Sequence, residues 1–208
     1  MSASEEESIS VSPVRSGRRR PDYQVEPIEL ADVAFARGFL TPLELFRIGA
    51  WKSARGLAWM SLNSEDEIRD RTHHAISSVG KLSRLNVLQD NVDWDEWQAS
   101  VALAIYDPEG LIGLKGVAFP MASAVLAILL PAACPVIDRW TVQAVFGLPS
   151  SSTRWKTCAA YRQFTELLVQ HSGFYPSCSS VHQVDQAVMN GVIAGGTLPF
   201  RPVALRSR

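Results

Sequence analysis

The stretch of this chain whose residue types and order could do chemistry is Leu114-Lys115-Gly116-Val117-Ala118, continued by Phe119-Pro120-Met121-Ala122-Ser123 and, 22 positions after Gly116, by Asp138. A short apolar lead-in, a glycine turn and then a helix of small and apolar residues is the pattern of a tight helical hairpin. Backbone amides in such a turn, at the N-terminus of the second helix, hold a phosphate oxygen without any cationic side chain. Asp138 ends the apolar Pro135-Val136-Ile137 segment and precedes a helix predicted from Arg139, a place where aspartate is a favoured cap. Lys52 and Arg55, in Trp51-Lys52-Ser53-Ala54-Arg55, lie near a helix end before Gly56. They either reach a phosphate or base, or complement the negative end of that helix.

Other chemistries find little footing. His73 and His74 are adjacent on a helix and point about 100 degrees apart, and His171 and His182 have no Cys or Glu at ligand spacing, so no transition-metal site is expected. Ser150-Ser151-Ser152-Thr153 lacks the glycine framework of a phosphate loop and reads as a helix N-cap segment. Cys134, Cys158 and Cys178 are odd in number and far apart, which excludes a disulfide framework or a paired-cysteine knuckle and suits a reducing, cytoplasmic setting.

The elements that must position these residues are helical almost throughout. Thr41-Pro42-Leu43-Glu44 combines an N-cap, a proline in the first turn and a returning glutamate, and predicts a helix to about Lys52. Ser64 to Glu67 repeats that logic for a helix over 65–79, and Asp93 caps a third that stops at Asp107-Pro108. Met121 to Leu130, Arg139 to Phe146, Arg154 to His171 and Val181 to Ile193 complete the set, and no stretch alternates well enough to form a sheet. Residues 1–27, rich in Ser, Glu, Arg and Pro, read as a disordered tail, residues 28–200 as one helical domain with its hairpin at 111–130, and residues 201–208 as a loose basic end.

Charge sets limits on partners. With 20 Lys and Arg against 21 Asp and Glu, the chain of 208 residues is no polycation, so any nucleic-acid contact must be local and carried by amides. Residues 148–208 hold six basic and two acidic side chains, which allows a basic face from Arg154, Lys156 and Arg162. The 22 uncharged residues from Gly116 to Ile137 match a membrane span by hydropathy. Pro120, Pro131 and Pro135 should cut the continuous helix to roughly 15 Å, half a bilayer, so no membrane partner is expected.

The segments LKGVAFPMASAVL and PVID resemble the hairpin and catalytic segment of the helix-hairpin-helix superfamily of base-excision DNA glycosylases. The strong match covers about 25 residues. Leu40-Thr41, Glu44-Leu45, Trp51-Lys52-Ser53, Arg55 and Tyr161-Arg162 extend it toward a little-characterised bacterial branch with an oxoguanine-glycosylase-like fold. The resemblance implies an all-α fold of two helical lobes around a cleft, double-stranded DNA as partner, and contacts from Leu114, Lys115, Gly116, Val117, Ala118, Lys52 and Arg55. It leaves room for a partner protein and for a monovalent or alkaline-earth ion on the hairpin carbonyls.

The same resemblance makes Asp138 the carboxylate that stabilises a sugar cation as a flipped base departs. Trp51, Phe119 and Trp140 are the candidate base pocket, with Trp59, Trp94 and Trp97 behind them; tryptophans at helical spacing are also the usual material of a core. Four departures matter. Ala118 stands where the family has a second glycine. Pro120 and Met121 stand where bifunctional members place a Schiff-base lysine, so strand cleavage by that route is not expected. Arg139-Trp140 replaces the Thr-His that follows the aspartate, and the four-cysteine iron-sulfur loop is absent. The expectation is a monofunctional glycosylase, and the alternative is a DNA-binding or protein-interaction module that keeps the fold without the chemistry.

Overall fold

Six helices begin where a short polar side chain turns back on the backbone. Thr41 and Ser64 form complete capping boxes with Glu44 and Glu67, Asp93 accepts from the amides of Asp95 and Glu96, and Thr157 and Ser180 each accept from the residue three places on. Asp138 accepts from the Trp140 and Thr141 amides while the Thr141 hydroxyl accepts from the Asp138 amide. Each such cap is worth about 1 kcal/mol, because it satisfies donors that the helix leaves open.

The structure is a computed structural model that describes residues 26–53, 57–149 and 151–206. Among the described residues it is all-helical: α1 (Leu30–Arg37), α2 (Pro42–Lys52), α3 (Leu57–Met60), α4 (Glu65–Val79), α5 (Trp94–Tyr106), α6 (Phe119–Leu129), α7 (Arg139–Phe146), α8 (Cys158–Gln170) and α9 (Val181–Ile193), with short 3-10 turns between some of them. At the centre lies α6, of whose residues all but Pro120 are buried. α1 and α2 pack on it; α4 packs on α5, α5 on α8, and both α7 and α8 on α9. Most of the buried apolar residues of α1 through α9 form one large cluster, and Ala124 and Ala127 of α6 form a small second one with Val136. No described helix is long and apolar enough to cross a membrane.

Several boundaries differ from expectation. α6 starts at Phe119, not Met121, because Pro120 sits in its first turn, where a missing amide costs nothing. α8 starts at Cys158 behind the Thr157 cap, not at Arg154, and Ser151 to Thr153 precede a turn instead of capping a helix. Ser150 and the tail up to residue 25 lie outside the described residues. Residues 201–206 are not loose. The Val203 amide donates to the Val145 carbonyl at 2.9 Å, and Gln163 bonds both the Ala204 carbonyl and the Arg206 amide. Arg162 leaves the expected basic face, since its guanidinium is taken by Glu166 and Asp95.

Candidate functional site

Three consecutive residues ahead of Asp138 are each pinned by a side chain from a different helix. The Tyr161 hydroxyl on α8 donates to the Pro135 carbonyl. The Val136 amide donates to Asp185 Oδ2 on α9 at 3.2 Å, and the Ile137 amide donates to Ser123 Oγ on α6 at 3.2 Å. A segment with no secondary structure of its own is thereby held to a single course, and it delivers Asp138 to the start of α7.

Asp138 is shared between two tasks. Oδ1 accepts from the amides of Trp140 at 2.8 Å and Thr141 at 3.2 Å, while Oδ2 accepts from Lys52 Nζ at 2.8 Å. Lys52 is the last residue of α2, 86 positions earlier in the chain. The two side chains keep only 15% and 13% of their surface exposed. Burial pushes the carboxyl up, but the charge and hydrogen bond of Lys52 and the two amides outweigh it and hold Asp138 below the usual carboxylate range. Asp138 is therefore ionised at neutral pH, and it is largely covered.

Trp51, beside Lys52, lies over Ala124, Ala127 and Val136 and meets His182 edge-on, with ring centroids 5.9 Å apart. His182 is buried and bonded to Glu26, which also accepts from Gln186 at 2.9 Å. Burial raises the Glu26 carboxyl, yet its bond to His182 leads the contributions that bring it below its ordinary value. Asp185, one turn beyond His182, is driven well above its ordinary value, first by burial and then by Asp138.

The glycine turn sits at the opposite end of the same helix from the α6 C-terminus. Gly116 has φ +80, a left-handed conformation that favours glycine. The first arm of the expected hairpin is only a 3-10 turn over Leu111–Gly113. Asn63 braces the turn: its Oδ1 accepts the Lys115 amide at 2.8 Å and its Nδ2 donates to the Lys115 carbonyl at 3.0 Å. The amides of Gly116 and Ala118 find no acceptor among the described residues. Both residues line a groove of about 520 Å³ whose walls include Tyr106, Ile112 and Lys156.

Not every expected contact residue faces this groove freely. Leu114 and Val117 are buried in the core, and Lys115 Nζ donates to the Leu62 carbonyl at 3.2 Å. The Leu114 and Lys115 carbonyls, candidates for holding an ion, already accept from the Val117 amide and from Asn63. Phe119 belongs to the core, stacked on Tyr106 and flanked by Trp155 and Tyr161, so it lines no base pocket beside Asp138. Trp140 carries the Arg139 guanidinium 4.4 Å over its ring. Trp97 is fully buried, with its indole amine on the Ala133 carbonyl. Arg55 lies outside the described residues, and among the described residues no group of three His, Cys, Asp or Glu converges as metal ligands.

Of the residues expected to act, the fold brings Trp51, Lys52 and Asp138 together and sets the glycine turn apart from them, with α6 connecting the two. Sequence reasoning missed Asp185 and Asn63, and it named Ser123, Tyr161 and His182 without the contacts that they make here. Asp185 had a signal: it shares a helix face with Val181, Val184 and Val188, and it is the only acidic residue after Glu166. What fold and site define is an all-helical protein with a buried lysine–aspartate pair fixed by the helix that follows a glycine turn. No family model, curated protein or solved structure matches this chain.

Proposed function

We propose that the protein binds duplex DNA through the glycine turn and hydrolyses an N-glycosidic bond at the Asp138–Lys52 pair. One observation carries the reading: two charges 86 residues apart are buried together at 2.8 Å, on a backbone held by the helix that the turn introduces. A buried ion pair repays its desolvation poorly, so it is weak as a stabilising device and characteristic of functional sites. In this reading Lys52 keeps the Asp138 carboxylate ionised and aimed. The carboxylate stabilises the positive charge that grows on the sugar as the base leaves, and water supplies hydroxide to C1' and a proton to the departing base. The reading carries with it the two-lobed helix-hairpin-helix arrangement, a flipped base as substrate and a cytoplasmic location. Gly116 and Ala118 amides with Lys156 supply the phosphate contacts.

The test is a panel of duplexes, each with one modified base, incubated with protein and then treated with alkali. The wild type should create alkali-labile sites in at least one duplex, and Asp138→Asn should lose them while retaining DNA affinity. A second reading, a DNA-binding module without chemistry, draws support from both Asp138 oxygens being engaged and its side chain being only 13% exposed. It predicts DNA binding with no alkali-labile site in any duplex.

A further inference from the structure

Asp185 is a buried group that its hydrogen bonding alone does not explain. It is 3% exposed, its Oδ2 accepts the Val136 amide, and its Oδ1 has no hydrogen-bond partner. Among the described residues no lysine, arginine or histidine pairs with it; Lys52 is spent on Asp138 and His182 on Glu26. Pinning one amide needs only a neutral acceptor, and a carboxyl group buried without a cation is costly unless it keeps its proton. The titratable groups that act on it come from several elements: Asp138 at the start of α7, Lys52 on α2, Glu26 ahead of α1 and Tyr161 on α8, while His182, one turn back on α9, is bonded to Glu26. An ionised Asp185 would set a second carboxylate against a single Lys52.

We propose that Asp185 is a positioning residue for the Asp138–Lys52 pair, a neutral carboxylic acid that fixes the backbone of the Asp138 segment and leaves Lys52 to one carboxylate. Its importance for catalysis rests on the reading of the pair as a reactive site; its hold on the segment and its proton do not. An acid that keeps its proton when folded but ionises when unfolded makes folding take up one proton. Stability is then full below the unfolded value and falls as pH rises toward the folded one, by about tenfold in the folding constant per pH unit.

The experiment is urea unfolding of wild type and Asp185→Asn from about pH 5 to pH 8, a window above the unfolded carboxyl value, with the Val136 amide followed by NMR. Asparagine keeps the acceptor and is neutral, so the variant should fold and leave the Val136 signal in place. Its stability relative to wild type should rise with pH across this window, with a limiting slope of about tenfold in the folding constant per pH unit. Asp185→Leu, which removes the acceptor, should displace the Val136 signal and those of the Trp140 and Thr141 amides. Parallel pH dependences for wild type and Asp185→Asn would overturn the proposal, as would an Asp185→Asn chain that fails to fold. DNA without excision, alongside the expected pH linkage, would count against the glycosylase reading and leave the role of Asp185 in the fold intact.

Discussion

Removing Lys52 should cost more than deleting an ordinary surface lysine. Lys52→Met keeps most of the aliphatic stem and takes away the ammonium, leaving an ionised Asp138 whose side chain is 13% exposed and whose remaining partners are the Trp140 and Thr141 amides. Loss of one member of a buried pair typically costs about 3–5 kcal/mol, since the other charge stays behind unpaired. The two amides still stabilise the carboxylate, so we expect about 3 kcal/mol at neutral pH, the lower end of that range. Asp138→Asn and the double variant complete a cycle. With the carboxylate already gone, adding Lys52→Met should be nearly neutral, giving a coupling energy of about 3 kcal/mol by denaturant unfolding. A cost for Lys52→Met under about 1 kcal/mol, with no coupling in the cycle, is the magnitude of an exposed pair and would mean that Lys52 and Asp138 are not held together as a buried pair.

Two further outcomes follow from the same geometry. Asp138 and Glu26 are both held below the ordinary carboxylate range, so their contribution to stability is present above the unfolded values and is lost as pH falls through the folded ones. Resistance to thermal unfolding should therefore fall in acid below about pH 4, and Asp138→Asn should flatten part of that limb. Ser123→Ala removes the acceptor of the buried Ile137 amide and should destabilise by about 1–3 kcal/mol, with faster hydrogen exchange at Ile137 as the local signature.

The helix starts at Thr41, Ser64, Asp93 and Asp138 were legible because an N-cap is written in a few neighbouring residues and needs no tertiary partner. The start of α8 was not: Trp155 and Lys156 continue an amphipathic pattern, and only the packing of Trp155 into the core shows that the chain turns there first. Pro120 looked like a breaker because its residue type says nothing about whether it falls in a first turn or an interior one. Lys52 and Asp138 were each singled out by type and local position, but their meeting across 86 residues depends on how α2 crosses α6. The role of Ser123 was not legible within an apolar helix, since it is set by a segment 14 positions downstream. Aromatics misled in the opposite direction: Phe119 and Trp97 spend their surface on packing.

The chemistry proposed for the Asp138–Lys52 pair is cleavage of the bond between a base and its sugar. Mass spectrometry of the free bases released from DNA carrying modified bases tests it most directly, with wild type and Asp138→Asn compared at equal DNA occupancy. The wild type should release one base species, and Asp138→Asn none above background. Equal release by both proteins, or none by either from DNA that both bind, would contradict it.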